Sequence, residues 1–175
     1  QLGVELALEE LYQHGHRCIG IMTGSENNGE NMVRLTAVKN WFEKKSLPFS
    51  DKWCISGDFH AENARHAIHQ LLNQSKELTA LFCFNDQMAL GVMSYLQQQG
   101  EQLPERLSII GFDNIEACAF THPTLTSVDQ PIKEMAHRAM SIIENMLNNR
   151  PLQEQLPLVP SLINRHSVLS LPKSI

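Results

Sequence analysis

Phe84-Asn85-Asp86-Gln87-Met88-Ala89-Leu90-Gly91 and, further on, Pro104-Glu105-Arg106-Leu107-Ser108-Ile109-Ile110-Gly111-Phe112-Asp113-Asn114 carry the same signal. In each, an apolar run, Thr79 to Phe84 or Leu107 to Gly111, stops at polar side chains and gives way to helical or loop-like sequence. That places Asn85 and Asp113 where two neighbouring strands end. In an open α/β sheet, ligands bind in the crevice beyond the carboxyl ends of the strands.

Working outward, Val4, Ala7, Leu8 and Leu11 define one face of a first helix, and His14-Gly15-His16-Arg17 reads as a turn into a strand, Cys18 to Met22. A polar loop through Glu30 leads to a helix from about Asn31 to Lys45 that buries Val33, Ala37, Val38 and Trp41 and stops before Pro48. Trp53 to Ser56 is a short strand and Gly57-Asp58-Phe59 a loop. Glu62 to Asn73 is a helix with Ala64, Ala67, Ile68, Leu71 and Leu72 on one face. A further helix, Asp86 to Gln99, separates the two quoted strands. Ile115 to Pro131 reads as irregular, and Ile132 to Asn148 as a long amphipathic helix. Leu156 to Ile163, interrupted by Pro157 and Pro160, reads as an edge strand. Alternating strands and helices, with the strands continuously apolar, predict a three-layer α/β/α fold around a mainly parallel sheet.

The 175 residues suffice for one domain with a good core, since a chain of this length buries roughly 70% of its unfolded surface. A net charge of -5 and Lys and Arg scattered without a basic run argue against a nucleic-acid footprint in this segment. Cys18, Cys54, Cys83 and Cys118 are widely spaced, without a CxxC pair. Three of them lie in apolar runs, which favours reduced, buried thiols. No apolar run approaches the ~20 residues that span a bilayer and no basic-then-apolar leader opens the chain, so it reads as cytoplasmic. The first residue is not Met and lies in a helical pattern, which predicts a piece of a longer protein.

The second quoted string runs on into Phe120-Thr121-His122-Pro123-Thr124-Leu125-Thr126-Ser127-Val128-Asp129-Gln130-Pro131. Together these motifs resemble the effector-binding domain of the LacI/GalR family of bacterial transcription regulators, over nearly the whole chain. The resemblance implies a type I periplasmic-binding-protein-like fold, whose two subdomains are joined by three crossing segments and bind the effector in the cleft between them. Residues 1–128 would be the C-terminal subdomain. Residues 129–150 would supply a crossover and a helix of the N-terminal subdomain, and residues 151–175 the return. A DNA-binding headpiece and most of the N-terminal subdomain would lie outside this sequence. The implied partners are a small-molecule effector, a second copy of the chain, and operator DNA through the headpiece alone. A sugar is the favoured effector and a purine or nucleoside the alternative. A periplasmic sugar-binding protein shares the fold and is the rival reading.

Arg34 stands where the family has an arginine beside the effector, although Ala37 and Val38 replace the family's glycine and aromatic. A guanidinium is a rigid fork of donors suited to vicinal hydroxyls, phosphate or carboxylate, whereas an isolated helix arginine is ordinarily solvated. Asn85 and Asp113 bring the mixture of donor and acceptors that a buried polyhydroxylated ligand needs, which is the favoured reading; the alternative is that Asn85 or Asp86 only caps the following helix and Asp113-Asn114 only builds a turn. Phe59 matches an aromatic beside the effector, where a ring face suits a sugar or a base; a core phenylalanine is the other reading. Gln130 and Ile132 match positions at the cleft mouth, and Glu30, four residues before Arg34, is a further candidate for its lining. Met88, Val92 and Tyr95, in an apolar arc wider than one sheet face requires, are candidates for the dimer interface or for the chain's own core. His66 and His69 have metal-compatible spacing without a carboxylate or thiol to complete a site. Ser25-Glu26-Asn27-Asn28-Gly29 lacks the GK[ST] ending of a phosphate loop, and no GxSxG elbow occurs. Neither a cofactor nor an enzyme activity is expected.

Overall fold

The apolar runs assemble, in a computed structural model describing residues 1–151 and 156–172, into one six-stranded sheet of order β2-β1-β3-β4-β5-β6. The strands are β1 (Ile19–Thr23), β2 (Cys54–Ser56), β3 (Ala80–Cys83), β4 (Ser108–Phe112), β5 (Thr126–Asp129) and β6 (Ser161–Ile163). All pairs are parallel except β5 with β6, which is antiparallel at the edge. The five helices are α1 (Leu2–Gln13), α2 (Gly29–Lys44), α3 (Ala61–Gln74), α4 (Asp86–Gln98) and α5 (Ile132–Leu147). α1 packs with α2 and α3 with α4, covering the sheet. Such parallel strands, covered on both faces, are entirely buried in β1, β3 and β4.

Most expected elements are present within a residue or two, and three corrections follow. Ile115 to Pro131 is not wholly irregular: Thr126–Asp129 forms β5, paired with Ile110 to Phe112. Its sequence, Thr-Ser-Val-Asp, has almost no apolar run because Thr126 and Ser127 spend their hydroxyls on buried hydrogen bonds to neighbouring segments. Leu156 to Pro160 lies outside β6, which spans only Ser161–Ile163. Val33 is 58% exposed rather than buried. The inward face of α2 is instead Asn31, Arg34, Ala37, Val38, Trp41 and Phe42, so a buried arginine holds the position that periodicity gave to valine.

The four cysteines are free thiols, with Cys83 and Cys118 buried. Burial pushes the Cys54 and Cys118 thiols up to about 12, so they are protonated packing groups rather than nucleophiles. Among the described residues no helix is long and apolar enough to cross a membrane, and no cluster of His, Cys, Asp and Glu is placed to hold a metal ion. His66 instead faces Glu62 at 3.2 Å, and His69 meets Asn73.

Candidate functional site

The strand order 2-1-3-4-5 reverses direction between β1 and β3, and the crevice beyond their carboxyl ends is the expected ligand position in such a sheet. After β1, the Gly24 N–H donates to Asn31 Oδ1 (2.8 Å), and Asn28 Oδ1 caps α2 by accepting from the Glu30 and Asn31 N–H groups. The cap fixes where α2 begins and so turns Arg34 inward. Its guanidinium lies 4.1 Å from the Phe112 ring centroid at the end of β4, a cation–π contact. It donates to the Phe84 carbonyl at the end of β3 and faces Glu30 at 3.4 Å. Burial lowers the Arg34 pKa, while Asp113 and Glu30 oppose the shift. An arginine starting this high stays charged.

Asp113 and Asn114, directly after β4, have φ of 106° and 50°. Two successive non-glycine residues in this region signal a backbone held by its surroundings. Asp113 Oδ1 accepts from Gln130 Nε2 at 2.6 Å, and its N–H donates to Val128 O. Burial raises the Asp113 pKa; the Gln130 hydrogen bond and the Arg34 charge pull it down, and Asp86 and Glu30 push it up. Arg34, Asp113 and Gln130 thus come together at the strand ends. Glu30 stands on the exposed rim, its side chain 75% accessible. Ile132 opens α5, exposed, with its N–H donating to Gln130 O.

Asn85 is the N-cap of α4: its Oδ1 accepts from the Met88 N–H (2.9 Å) and its Nδ2 donates to Phe59 O (3.1 Å). One N–H and one lone pair remain for any other partner. Phe59 is half-buried beside it, in the left-handed region together with Asp58. The Phe59 ring lies so close to Gly24 that a Cβ there would fall 2.0 Å from it, so glycine is what lets the ring fold over the end of β1.

The interface expectation for α4 requires correction. Met88 and Val92 are fully buried within the chain itself, where α4 packs on α3 so closely that a Cβ on Gly91 would meet the Ala61 carbonyl at 2.2 Å. Only Tyr95 of that trio is partly exposed. The wide apolar arc serves two layers of the same chain, the sheet and α3.

Sequence reasoning missed Phe112 as the platform under Arg34, Asn31 as the clasp of the β1–α2 loop, and the Asp86–Ser127 pair behind Asp113. Phe112 ends an apolar run and gave no separate signal; a buried Asp directly after a capping Asn is the one visible hint of the last. Beside Gln130, a groove of about 500 Å³ runs between Leu2 and Phe112 on one side and Met135, Ile142 and Leu158 on the other. The wall as a whole offers the unused N–H groups of Arg34, the free oxygen of Asp113 and an aromatic edge, a set suited to a small ligand with several hydroxyl or amide groups.

Residues 8–168 match the family of the periplasmic binding protein-like domain. The HTH-type transcriptional repressor PurR of Aliivibrio fischeri is 34% identical over 171 residues, which are 96% of this chain and 51% of that protein. The chain spans about half the length of the curated relatives it matches. Among solved structures, a sugar-binding transcriptional regulator of the LacI family from Escherichia coli, complexed with phosphate, superposes with a TM-score of 0.90 at 28% identity, covering 97% of this chain and 61% of that one. A LacI-family regulatory protein from Chloroflexus aggregans gives 0.86 at 31% identity, covering 95% and 60%.

Proposed function

The chain belongs to the family of the periplasmic binding protein-like domain, and from that premise we propose that it is the effector-binding part of a LacI-type transcriptional repressor. The carrying observation is the convergence of Arg34, Asp113 and Gln130 at the carboxyl ends of the sheet. The function is reversible binding of a small molecule rather than catalysis. A sugar fits best, since Arg34 and Asp113 supply donors and acceptors for vicinal hydroxyls and the E. coli relative is a sugar-binding regulator; a purine or nucleoside is the alternative. Effector binding shifts the relation of two subdomains and thereby operator affinity, by differential affinity for two states. Operator contact belongs to a headpiece beyond these residues, and the regulator acts in the cytoplasm.

Residues 1–128 form the C-terminal subdomain in this reading, 129–150 reach into the opposite subdomain, and 151–175 return. Its support is that α5 has no buried residue. For dimerisation the candidate surface moves off Met88 and Val92 to Tyr95, the one of the three that is partly exposed.

A thermal-shift panel of monosaccharides, nucleosides and purine bases on the full-length regulator identifies the effector class. Titration calorimetry with the responding compound then tests the site. Arg34→Ala and Asp113→Ala each cost about 2 to 4 kcal/mol of binding, because each leaves buried polar groups unpaired. Unchanged affinity in both variants removes the site. The 175-residue chain spans about half the length of its relatives, and in this reading, which assigns most of the opposite wall of the cleft to the rest of the regulator, the chain alone binds the effector far more weakly than the whole protein.

A further inference from the structure

Asp86, the first residue of α4, is completely buried, and among the described residues none of its hydrogen-bond partners is a cation. Its Oδ2 accepts from the Ile115 N–H at 2.8 Å and its Oδ1 from the Ser127 hydroxyl at 2.6 Å. Ser127 Oγ in turn accepts from the Asn114 N–H at 3.0 Å. The carboxylate therefore grips the backbone on the far side of the Asp113–Asn114 turn and, through one hydroxyl, the turn itself. A buried carboxylate held by neutral donors is costly, and one hydrogen bond on each of its oxygens gives it a fixed direction. The approach is tight: a Cβ at Gly111 would lie 2.1 Å from Asp86 Oδ1. The other side of the turn is held too, for the Asn114 side chain donates to Asp129 and accepts from Arg165 Nη2 at 2.7 Å.

Helix capping does not account for this. The cap of α4 is made by Asn85, and Asp86 directs its oxygens away from its own helix toward β5 and the loop after β4. We propose that Asp86 is the positioning residue of the binding site: acting through Ser127 and the Ile115 N–H, it holds Asp113 and Asn114 in their left-handed conformation and thereby aims the Asp113 carboxylate. It touches no ligand. The role rests on the reading that Asp113 faces the effector, but the aiming itself is measurable without one.

The test is amide and side-chain NMR of the ligand-free chain as wild type, Asp86→Asn, Asp86→Glu and Ser127→Ala. Asp86→Asn keeps one carbonyl oxygen but loses the second acceptor; Asp86→Glu keeps the charge but displaces it; Ser127→Ala removes the relay and leaves the carboxylate. All three are expected to shift the Asp113, Asn114 and Ile115 amides and to move the Gln130 side-chain amide toward its free-solution position, since Gln130 donates to Asp113. Amides of β1 and α2, including Asn31, stay in place. Variants that melt earlier while the Asp113, Asn114 and Gln130 signals keep their wild-type positions overturn the proposal, because Asp86 then stabilises the fold without aiming the site. If the Asp86 variants do not fold, Ser127→Ala alone decides by the same signals. An intact aiming effect without ligand response in the thermal-shift panel would instead count against Asp113 as the effector contact.

Discussion

α1 and α5 are written in the same amphipathic code and end in opposite circumstances. Val4, Ala7, Leu8 and Leu11 of α1 are buried to 1% exposure or less against the sheet. α5 carries Ile132, Met135, Met140, Ile143 and Met146 along its stripe and buries none of its residues. Periodicity announces that a helix has an apolar face; it does not say what receives it. For α1 the receiver is in the same chain, where Gly3 lets the helix start close against Phe112 and Val128. α5 is held at its middle by Arg138, which donates to Leu156 O and pairs with Glu134.

The largest effect that separates the two helices is on stability. Leu8→Ala removes a fully buried side chain and costs about 2 to 5 kcal/mol of unfolding free energy. Ile143→Ala, on a residue half accessible to water, changes it by no more than about 0.5 kcal/mol. Urea titration of both variants, at a dilution where the chain is monomeric, checks the pair. Equal losses would show that α5 is packed in solution.

Association is the next effect in size. A stripe of this kind exposed on a helix is unfavourable in water, since burying each such side chain is worth about 1.5 to 3 kcal/mol. The 175-residue chain is therefore expected to self-associate with rising concentration, and the double variant Met140→Glu, Ile143→Glu to sediment as a monomer. A wild type that remains strictly monomeric with α5 still exposed breaks this expectation.

The same contrast explains how much of the fold is legible in the sequence. The body was legible because its strands are continuous apolar runs and its helices have receivers nearby; the failures occur where polar groups are buried. β5 escaped because Thr126 and Ser127 replace an apolar run by hydroxyls that are satisfied by Arg165, Asp86 and Asn114, all distant in sequence. Val33 and Arg34 exchanged places for a similar reason: a guanidinium stacked on Phe112 and bonded to the Phe84 carbonyl tolerates burial, which no single-chain periodicity encodes. In the candidate site, Asp113 stood out where an apolar run stops at polar side chains, whereas Arg34 was reached only through the family motif. The grip of Asp86 on the Asp113 turn depends on contacts across three segments and was not visible.

The smallest expected effect again sets a covered position against an open one, within four residues of sequence. His14 and His16 flank Gly15 in what reads as a simple turn, yet His14 is partly exposed, and His16 is 1% exposed. His16 Nε2 donates to Leu169 O at 3.0 Å and its Nδ1 accepts from the Thr79 hydroxyl at 2.9 Å, so the neutral ring ties β1 to the approaches of β3 and to the C-terminal segment. Burial lowers its pKa, with the Leu169 hydrogen bond opposing and the His14 and Arg17 charges adding to the shift. The unfolded chain therefore takes up this proton at a higher pH than the folded one. Its stabilising contribution is present above the unfolded value of about 6.5 and is lost as pH falls from there through the lower folded value. Asp86 and Asp113, whose pKa values burial raises, act with the opposite sign: their contribution is present at low pH and lost as pH rises through their folded values. The measurement must therefore be differential. Thermal unfolding of wild type and His16→Gln is compared at pH 7.5 and at about one unit below 6.5. Wild type should lose its advantage over His16→Gln on acidification, since glutamine offers the same donor and acceptor without a proton to gain. A constant difference between the two across that interval would mean that His16 stays neutral in both states, or charged in both, and that its burial carries no pH dependence.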